Sequence, residues 1–496
     1  MVYFDKIDLP LPGSSIIVAS LSEIKLCKMN TTNYDIVVIG SGPGGYVSAI
    51  RSAQLGYKVA LVEKYDTLGG TCTNVGCVPA KALLDSSEHY HKADAQFKAH
   101  GIKLSAMELD FNQFIHRKNE VVKQNALGLV YLMKKNKIDV HYGLGSFIDA
   151  THLKVSSDKE EQVLTSKYFV IATGSKPSSL PGIIIDKKRI ISSTESLSLP
   201  SQPASMVIIG GGVIGVELAS VYARIGTKVT ILEYADSLIP SMDRDLGKAL
   251  QKSLTGLSID IHLSSKVQTA VNTGEAAVVG YLDKDGKQQE LVADYCLVAV
   301  GRRAYTDGLN LQAARVEAEK NGKIKVNNTL QTTTPNIYAI GDVISGPMLA
   351  HKAEEEGTLV AEVIHGLKPH MNYNLIPGVV YTWPEVAGVG ATEEELKAKG
   401  IVYRVGKFPY MASARARASM DTEGFVKVLV AEAYNEVLGV HVIGPRAADV
   451  IGQAVVGMAH ETTADEMAHL SYAHPTYSEA LKDAFLMASG KGAINI

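Results

Sequence analysis

The sequence predicts an α/β protein built on two dinucleotide-binding units, followed by a separate α+β domain. Three observations carry this: a glycine-rich turn between an apolar strand and a helix, its recurrence 170 residues later, and a change of pattern near residue 374. The first strand reads Tyr34-Asp35-Ile36-Val37-Val38-Ile39, an apolar run of the kind buried in parallel sheets. It empties into Gly40-Ser41-Gly42-Pro43-Gly44-Gly45 and a helical stretch to Leu55; Gly56 stops the helix, and a second strand, Lys58 to Val62, is closed by Glu63. Farther on, Met206 to Ile209 leads into Gly210-Gly211-Gly212-Val213-Ile214-Gly215, a helix to Gly226, and Lys228 to Leu232 ending at Glu233. In each copy the acid follows the last glycine by 18 residues. The glycines permit a tight turn and close approach of backbone N–H groups to a pyrophosphate. The helix N-terminus adds partial positive charge, and the acid takes the ribose hydroxyls. Both units are Rossmann-like.

Each unit has a later strand ending in glycine, Tyr168 to Gly174 and Leu297 to Gly301. From Gly45 to Gly174 is 129 residues and from Gly215 to Gly301 is 86, so the first unit holds about 43 more. Another strand, Asn336 to Gly341, ends in Asp342, well placed for a ligand hydroxyl. Beyond it come strands (Val426 to Val430, Gly439 to Ile443) and helices (Asp449 to His460, Tyr477 to Ala488). The expected divisions are an extension over 1–33, a first unit over 34–180 completed by 302–373, a second over 181–301, and the α+β domain over 374–496.

Composition narrows the function. A net charge of −3 argues against nucleic acid as a partner. No apolar run reaches the ~18–20 residues of a membrane span. Four cysteines, Cys27, Cys72, Cys77 and Cys296, are too few for a secreted disulfide scaffold and suit a reducing, cytoplasmic setting. The first 28 residues lack arginine and carry Asp5, Asp8 and Glu23, so they fit neither a secretory nor a mitochondrial leader. They read as a disordered extension, with Met29 as the natural start.

The chemistry sits in the longer unit. Cys72 and Cys77 are five residues apart. In a regular helix that is a rise of ~7.5 Å, beyond the ~7 Å Cα separation a disulfide tolerates. A bridge therefore needs a broken helix, and Gly69, Gly70, Gly76 and Pro79 are the breakers. Lys81, one turn past Cys77, is the cation that would favour a thiolate. The alternatives are half of a metal site, which has no second thiol pair and leads us to expect no metal, or two inert thiols. Near the other end, His474-Pro475-Thr476-Tyr477-Ser478-Glu479 offers an imidazole and a carboxylate that would fix its tautomer. Glu217 falls in the first turn of the second unit's helix, where a solvated surface role is the alternative. Cys27, in the tail, and Cys296, in an apolar strand, are assigned no catalytic part. Reactive thiols, a proton-moving pair and a dinucleotide carrier together indicate a thiol–disulfide oxidoreductase.

These residues resemble the flavin disulfide reductases, class I pyridine nucleotide–disulfide oxidoreductases, and within them the dihydrolipoyl dehydrogenase branch. The match runs from about residue 34 to the end, through Gly69 to Pro79, Ala172-Thr173-Gly174-Ser175, Tyr338 to Asp342, Met348-Leu349-Ala350-His351 and the His474 run. The resemblance implies one non-covalent FAD per subunit, held by Gly40, Gly42, Gly44, Gly45, Glu63, Lys64, Gly70, Thr71, Lys81, Gly145, Thr173 to Ser175, Asp342 and the Met348–His351 segment. It implies NAD held by Gly210, Gly211, Gly212, Val213, Ile214, Gly215, Val216, Glu217, Glu233, Val267 and Gly301. Cys77 would face the flavin, and Cys72 would exchange with substrate. Lys81 would pair with Glu217, and His474, steadied by Glu479, would serve the other subunit of an obligatory homodimer through a dimerisation domain at 374–496. The implied reaction oxidises protein-bound dihydrolipoamide with NAD+, so the partners are lipoyl-bearing components of 2-oxo-acid dehydrogenase complexes. Two departures from the family pattern appear, Ala80 for a serine and Tyr477 for a leucine; only Tyr477 bears on packing behind His474.

Within the family, a glutathione-type reductase shares the layout but usually runs on NADPH. Mercuric and large thioredoxin reductases need a C-terminal thiol pair or selenocysteine, and no cysteine follows Cys296. Peroxidase relatives work with one redox cysteine. A non-catalytic flavoprotein scaffold would have lost a Cys or His that is here in place.

Overall fold

The computed structural model describes residues 31–496. Expectations for residues 1–30, including the start at Met29 and the role of Cys27, lie outside the described residues. The first strand begins at Thr31 rather than Tyr34, because Thr31, Thr32 and Asn33 continue its parallel pairing with Val163, Leu164 and Thr165. The expected extension is therefore three residues too long.

Two sheets repeat one plan. In the first, Asp139–Tyr142, Val59–Glu63, Thr31–Ile39, Glu161–Ile171 and Ile337–Ala339 lie side by side in parallel. In the second, the same order is filled by Asp260–His262, Lys228–Leu232, Ser205–Ile209, Tyr295–Val298 and Ile190–Ile191. The Val59–Glu63 strand is buried at every position, so it reads as a continuous apolar run, without alternation, up to its closing Glu63. The last strand of each sheet lies apart in sequence from the stretch that carries the glycine turn: Ile337–Ala339 comes after the second unit, and Ile190–Ile191 comes before the second glycine turn.

The turns require their glycines. Gly40 and Gly210 have φ of +103° and +110°, which side chains rarely adopt. A Cβ on Gly45 would sit 1.8 Å from the Gly40 carbonyl oxygen, and one on Gly215 would sit 2.0 Å from that of Gly210. The helices that follow, Pro43–Gln54 and Val213–Arg224, start at the same offset. The first packs closely on Ala350–Ile364, where a Cβ on Gly357 would meet the Gly44 carbonyl oxygen at 2.5 Å.

The C-terminal region is an antiparallel five-stranded sheet in the order Gly378–Val380, Glu385–Gly390, Val437–Gly444, Phe425–Ala431, Tyr403–Pro409. The helices Ala447–Ala459 and Ser478–Ala488 contribute Val450, Ile451, Leu481 and Phe485 to its core. Among the described residues, no helix is long and apolar enough to cross a membrane.

Candidate active site

The extra length of the first unit is mostly helical and includes Gly70–Val75, Cys77–Ala95 and Phe111–Lys135. Cys72 lies in the first of these and Cys77 opens the second, with Gly76 between them at φ −146°, ψ −113°. That break separates the cysteines onto two helices. Gly69, at φ +101°, caps the first. Pro79 is no breaker, contrary to expectation: it sits in the first turn of the second helix, where a missing N–H leaves no bond unmade.

Both cysteines are free thiols facing one cavity of about 2500 Å³ that spans the two nucleotide units. A hydrogen bond from Cys72 brings the Cys77 thiol down to about 7, against the opposing effect of burial and with help from the Lys81 charge. The same bond, with burial, pushes Cys72 up. The pair is thus polarised, with Cys77 the readier thiolate. Lys81 donates to both Glu217 carboxylate oxygens at 2.8 and 3.0 Å and lies 4.4 Å from the Tyr381 ring centroid. Burial works against the Lys81 charge, but Glu217 outweighs it and holds the lysine's pKa above the usual value. Glu217 is 4% exposed and also accepts the Tyr381 N–H at 2.9 Å. It is the fifth residue of its helix rather than part of the first turn, so Lys81 and Tyr381, not the helix dipole, stabilise it. The surface alternative falls.

Most residues expected around a dinucleotide do line this cavity. At the first loop these are Gly40, Gly42 and Gly44, with Glu63 and Lys64 beyond them. Gly70, Thr71 and Gly145 line it too, as do Thr173, Gly174, Ser175 and Asp342. Met348, Leu349, Ala350 and His351 close one side. In the second unit Gly210, Gly212, Val213, Ile214, Glu217, Glu233, Val267 and Gly301 do so. Gly45, Gly211 and Gly215 instead shape the loops from behind, through the close approaches a Cβ would block. Val216 is a correction: its side chain is fully buried in the core under the second sheet.

Glu63 accepts from the Ser41 N–H at 3.0 Å, its hydroxyl at 2.5 Å and the Tyr65 N–H at 2.9 Å. Glu233 accepts from the Gly211 N–H at 2.5 Å and the Ala235 N–H at 2.6 Å. His474 and Glu479 lie away from the cavity. His474 Nδ1 is 2.8 Å from Glu479 Oε1, and the other carboxylate oxygen accepts the Thr476 N–H at 2.8 Å. Burial opposes ionisation of Glu479, but those two contacts hold its pKa below the usual value. The imidazole is 71% exposed, on a surface of its own chain. Cys296 is fully buried and pushed up to about 12 by desolvation, as suits an inert thiol.

The model of pyridine nucleotide-disulphide oxidoreductases matches residues 34–357, and that of their dimerisation domain matches 376–485. The chain belongs to this family. It is 45% identical to dihydrolipoyl dehydrogenase 1, mitochondrial, of Arabidopsis thaliana over 92% of this chain and 90% of that one. It is 47% identical to dihydrolipoyl dehydrogenase 3 of Pseudomonas putida, over 92% and 98%. Among solved structures, the flavoprotein disulfide reductase RclA of Escherichia coli aligns with a TM-score of 0.83 at 29% identity, over 92% of this chain and 99% of that one.

In this oxidoreductase Arg302, Lys352 and Glu356 join the site with little signal in the sequence. Arg302 donates to the Ser175 hydroxyl at 2.7 Å and its carbonyl at 2.8 Å, and Ser175 donates to Asp342 at 2.5 Å. Lys352 and Glu356, both wholly buried, pair at 2.9 Å, and Glu356 accepts the Gly341 N–H beside Asp342 at 2.7 Å. Their spacing of four residues on a half-apolar helix was the one available clue; Arg302 offered only its place next to Gly301.

Proposed function

We infer that this chain oxidises dihydrolipoamide to lipoamide with NAD+ as acceptor, through the Cys72–Cys77 pair and FAD. The observation that carries it is the polarised thiol pair, with Cys77 the readier thiolate, beside Lys81–Glu217 in a cavity open to both nucleotide loops. FAD and NAD(H) are the cofactors, and the residues fit them. Gly42 and Gly174 in one unit, and Gly212 and Gly301 in the other, line the cavity, and a Cβ on any of them would meet nothing within 4 Å. A dinucleotide backbone can lie where those side chains are missing. On this reading residues 34–180 and 302–373 hold FAD, 181–301 hold NAD, and 374–496 form a homodimer.

The two cysteines alternate between disulfide and dithiol. His474, through Nε2, takes a proton from the substrate dithiol, and the resulting thiolate attacks Cys72 Sγ of the disulfide. Cys77 leaves as a thiolate, which Lys81 stabilises. Attack by the second substrate sulfur on the first releases lipoamide and Cys72. When bound, FAD supplies the two-electron relay from this dithiol to the nicotinamide. In balance, dihydrolipoamide gives up two electrons and two protons; NAD+ leaves as NADH, and one proton goes to solvent. His474 is exposed and distant from its own chain's cavity, which supports a role on the partner's disulfide. The physiological substrates are lipoyl groups on components of 2-oxo-acid dehydrogenase complexes. Relatives include mitochondrial proteins; we place this one in the cytoplasm, and cell fractionation tests that.

Steady-state assays with dihydrolipoamide and with glutathione disulfide test the reading. His474→Gln is expected to cut dihydrolipoamide oxidation by ~10²–10⁴, as for loss of a general acid/base. Faster turnover of glutathione disulfide, or an unaffected variant, overturns it.

A further inference from the structure

Of the ion pairs among the described residues, Lys352–Glu356 is the most deeply buried, with both side chains fully enclosed. Its placement does little for the helix that carries it. Ala350–Ile364 begins just before Lys352, so the ammonium sits in the first turn, where the helix dipole disfavours a cation. A lysine four residues ahead of a glutamate is also the weaker order for such a pair. Nor does burying two charges dependably stabilise a fold, since the lost hydration offsets their attraction. What the pair does hold is the backbone of Gly341. Glu356 Oε2 accepts the Gly341 N–H at 2.7 Å, and Lys352 Nζ donates to the Gly341 carbonyl at 3.3 Å. Gly341 is left-handed, at φ +74°, and a Cβ there would lie 3.1 Å from the Ala353 Cβ of the same helix. Tyr373 completes the arrangement by donating its hydroxyl to Glu356 Oε1 at 2.9 Å. Burial, and then the Glu356 charge, push the phenol's pKa up, so it remains a donor. The next residue is Asp342, which lines the cavity and accepts the Ser175 hydroxyl.

We propose that Lys352 and Glu356 are positioning residues for the flavin site: by gripping both polar backbone groups of Gly341, they set the direction in which Asp342 faces the cavity. This rests on the reading that Asp342 serves FAD. The physical reason is the freedom of glycine. Without a Cβ, Gly341 has more backbone conformations open to it than any other residue type, and Asp342 would inherit that freedom. A grip on its N–H and its carbonyl removes the freedom before a ligand arrives, so less ordering entropy is lost on binding. Ser175 then fixes the carboxylate end of Asp342, as the pair fixes its main chain.

The test is Glu356→Gln in the full holoenzyme, which keeps the shape and removes the charge. Diluted holoenzyme is expected to release FAD about tenfold faster, followed by separating free from bound flavin. With FAD in excess, KM for NAD+ is expected to stay unchanged. Added to Asp342→Ala, the change is expected to speed release little further, because it acts through that aspartate. Tyr373→Phe withdraws one donor from Glu356 and leaves no charge unpaired. It is expected to give a smaller change in the same direction, and it decides the matter should Glu356→Gln fail to fold. An unchanged release rate, a KM for NAD+ that rises as steeply as FAD is lost, or full additivity with Asp342→Ala overturns the proposal. If Asp342→Ala sheds FAD while Glu356→Gln and Tyr373→Phe do not, only the positioning role fails. If Asp342→Ala holds FAD normally, the reading of Asp342 itself fails, and the proposal with it.

Discussion

The two nucleotide units are twins up to the acid that closes the second strand, and part six residues later. In each, the chain comes back from that acid to bond the second residue of the glycine loop. The Gly69 N–H reaches the Ser41 carbonyl at 3.1 Å, and the Ile239 N–H reaches that of Gly211 at 2.9 Å. In the first unit the return is made by Gly69 and Gly70, both at positive φ, and leads at once into the helix of Cys72. In the second it is made by Leu238 and Ile239, which are buried, and leads to Asp243 and an amphipathic helix over Arg244–Gly256. One scaffold thus presents thiols at one loop and an apolar plug at the other. The glycines matter because a Cβ on Gly70 would approach Gly42 Cα at 2.8 Å, so only glycine lets the disulfide helix lie against the loop.

The largest effect should come from filling the matched close approaches. Gly45→Val drives a side chain into the Gly40 carbonyl and is expected to yield protein without flavin, read as the ratio of flavin to protein absorbance. Gly215→Val, equally crowded, is expected to keep its flavin and lose NAD+-dependent turnover. The comparison breaks if both variants lose flavin, or if the first keeps it.

Next come the thiols that only one twin has. After two-electron reduction, a long-wavelength charge-transfer band is expected to survive in Cys72→Ser and vanish in Cys77→Ser, while both lose lipoamide turnover. The band should also titrate. Cys77 is lowered first by the Cys72 hydrogen bond and then by the Lys81 charge, to about 7. Its thiolate is therefore present above that pH and lost below it. Removing either helper, by Cys72→Ala or Lys81→Met, should raise the midpoint and shrink the band at neutral pH. A midpoint that stays put in both variants means some other group sets the thiolate.

How much of this was legible depends on whether the cause was local. The glycine turns, their repeat and the break at Gly76 follow from backbone limits that a sequence states directly. The His474–Glu479 bond was legible for the same reason, since five residues bring the pair together. Where Glu217 goes was not, because its partner Lys81 is 136 residues away and Tyr381 comes from a third region. Nor was the Arg302–Ser175–Asp342 chain, because Arg302 lies 127 residues from Ser175 and Ser175 lies 167 from Asp342. Val216 was misread because contiguity with the loop says nothing of which way a helix residue points.

The smallest effect concerns the acid that the twins share. Glu63 and Glu233 are both buried and each accepts two backbone N–H groups, so each carboxylate is fixed at the floor of its nucleotide site. The positive charges around them differ. In the first unit Lys64 follows the acid and lines the cavity, whereas Tyr234 takes that place in the second. The nearby Arg244 is already committed to Asp236 at 3.0 Å, which leaves it poorly placed to neutralise a ribose 2′-phosphate. Such a phosphate would face the Glu233 charge, with exposed Lys266 on the cavity wall as a solvated counter-charge. NAD(H) is therefore expected to be preferred over NADP(H) by at least about 1.4 kcal/mol, a factor of ~10 in kcat/KM. Glu233→Gln keeps the shape and removes the charge, and should narrow that ratio mainly by improving NADP(H). Equal kcat/KM for the two nucleotides in the unaltered enzyme would sink the expectation. A ratio unmoved by Glu233→Gln would instead assign the preference to the shape of the loop that carries the acid, not to its charge.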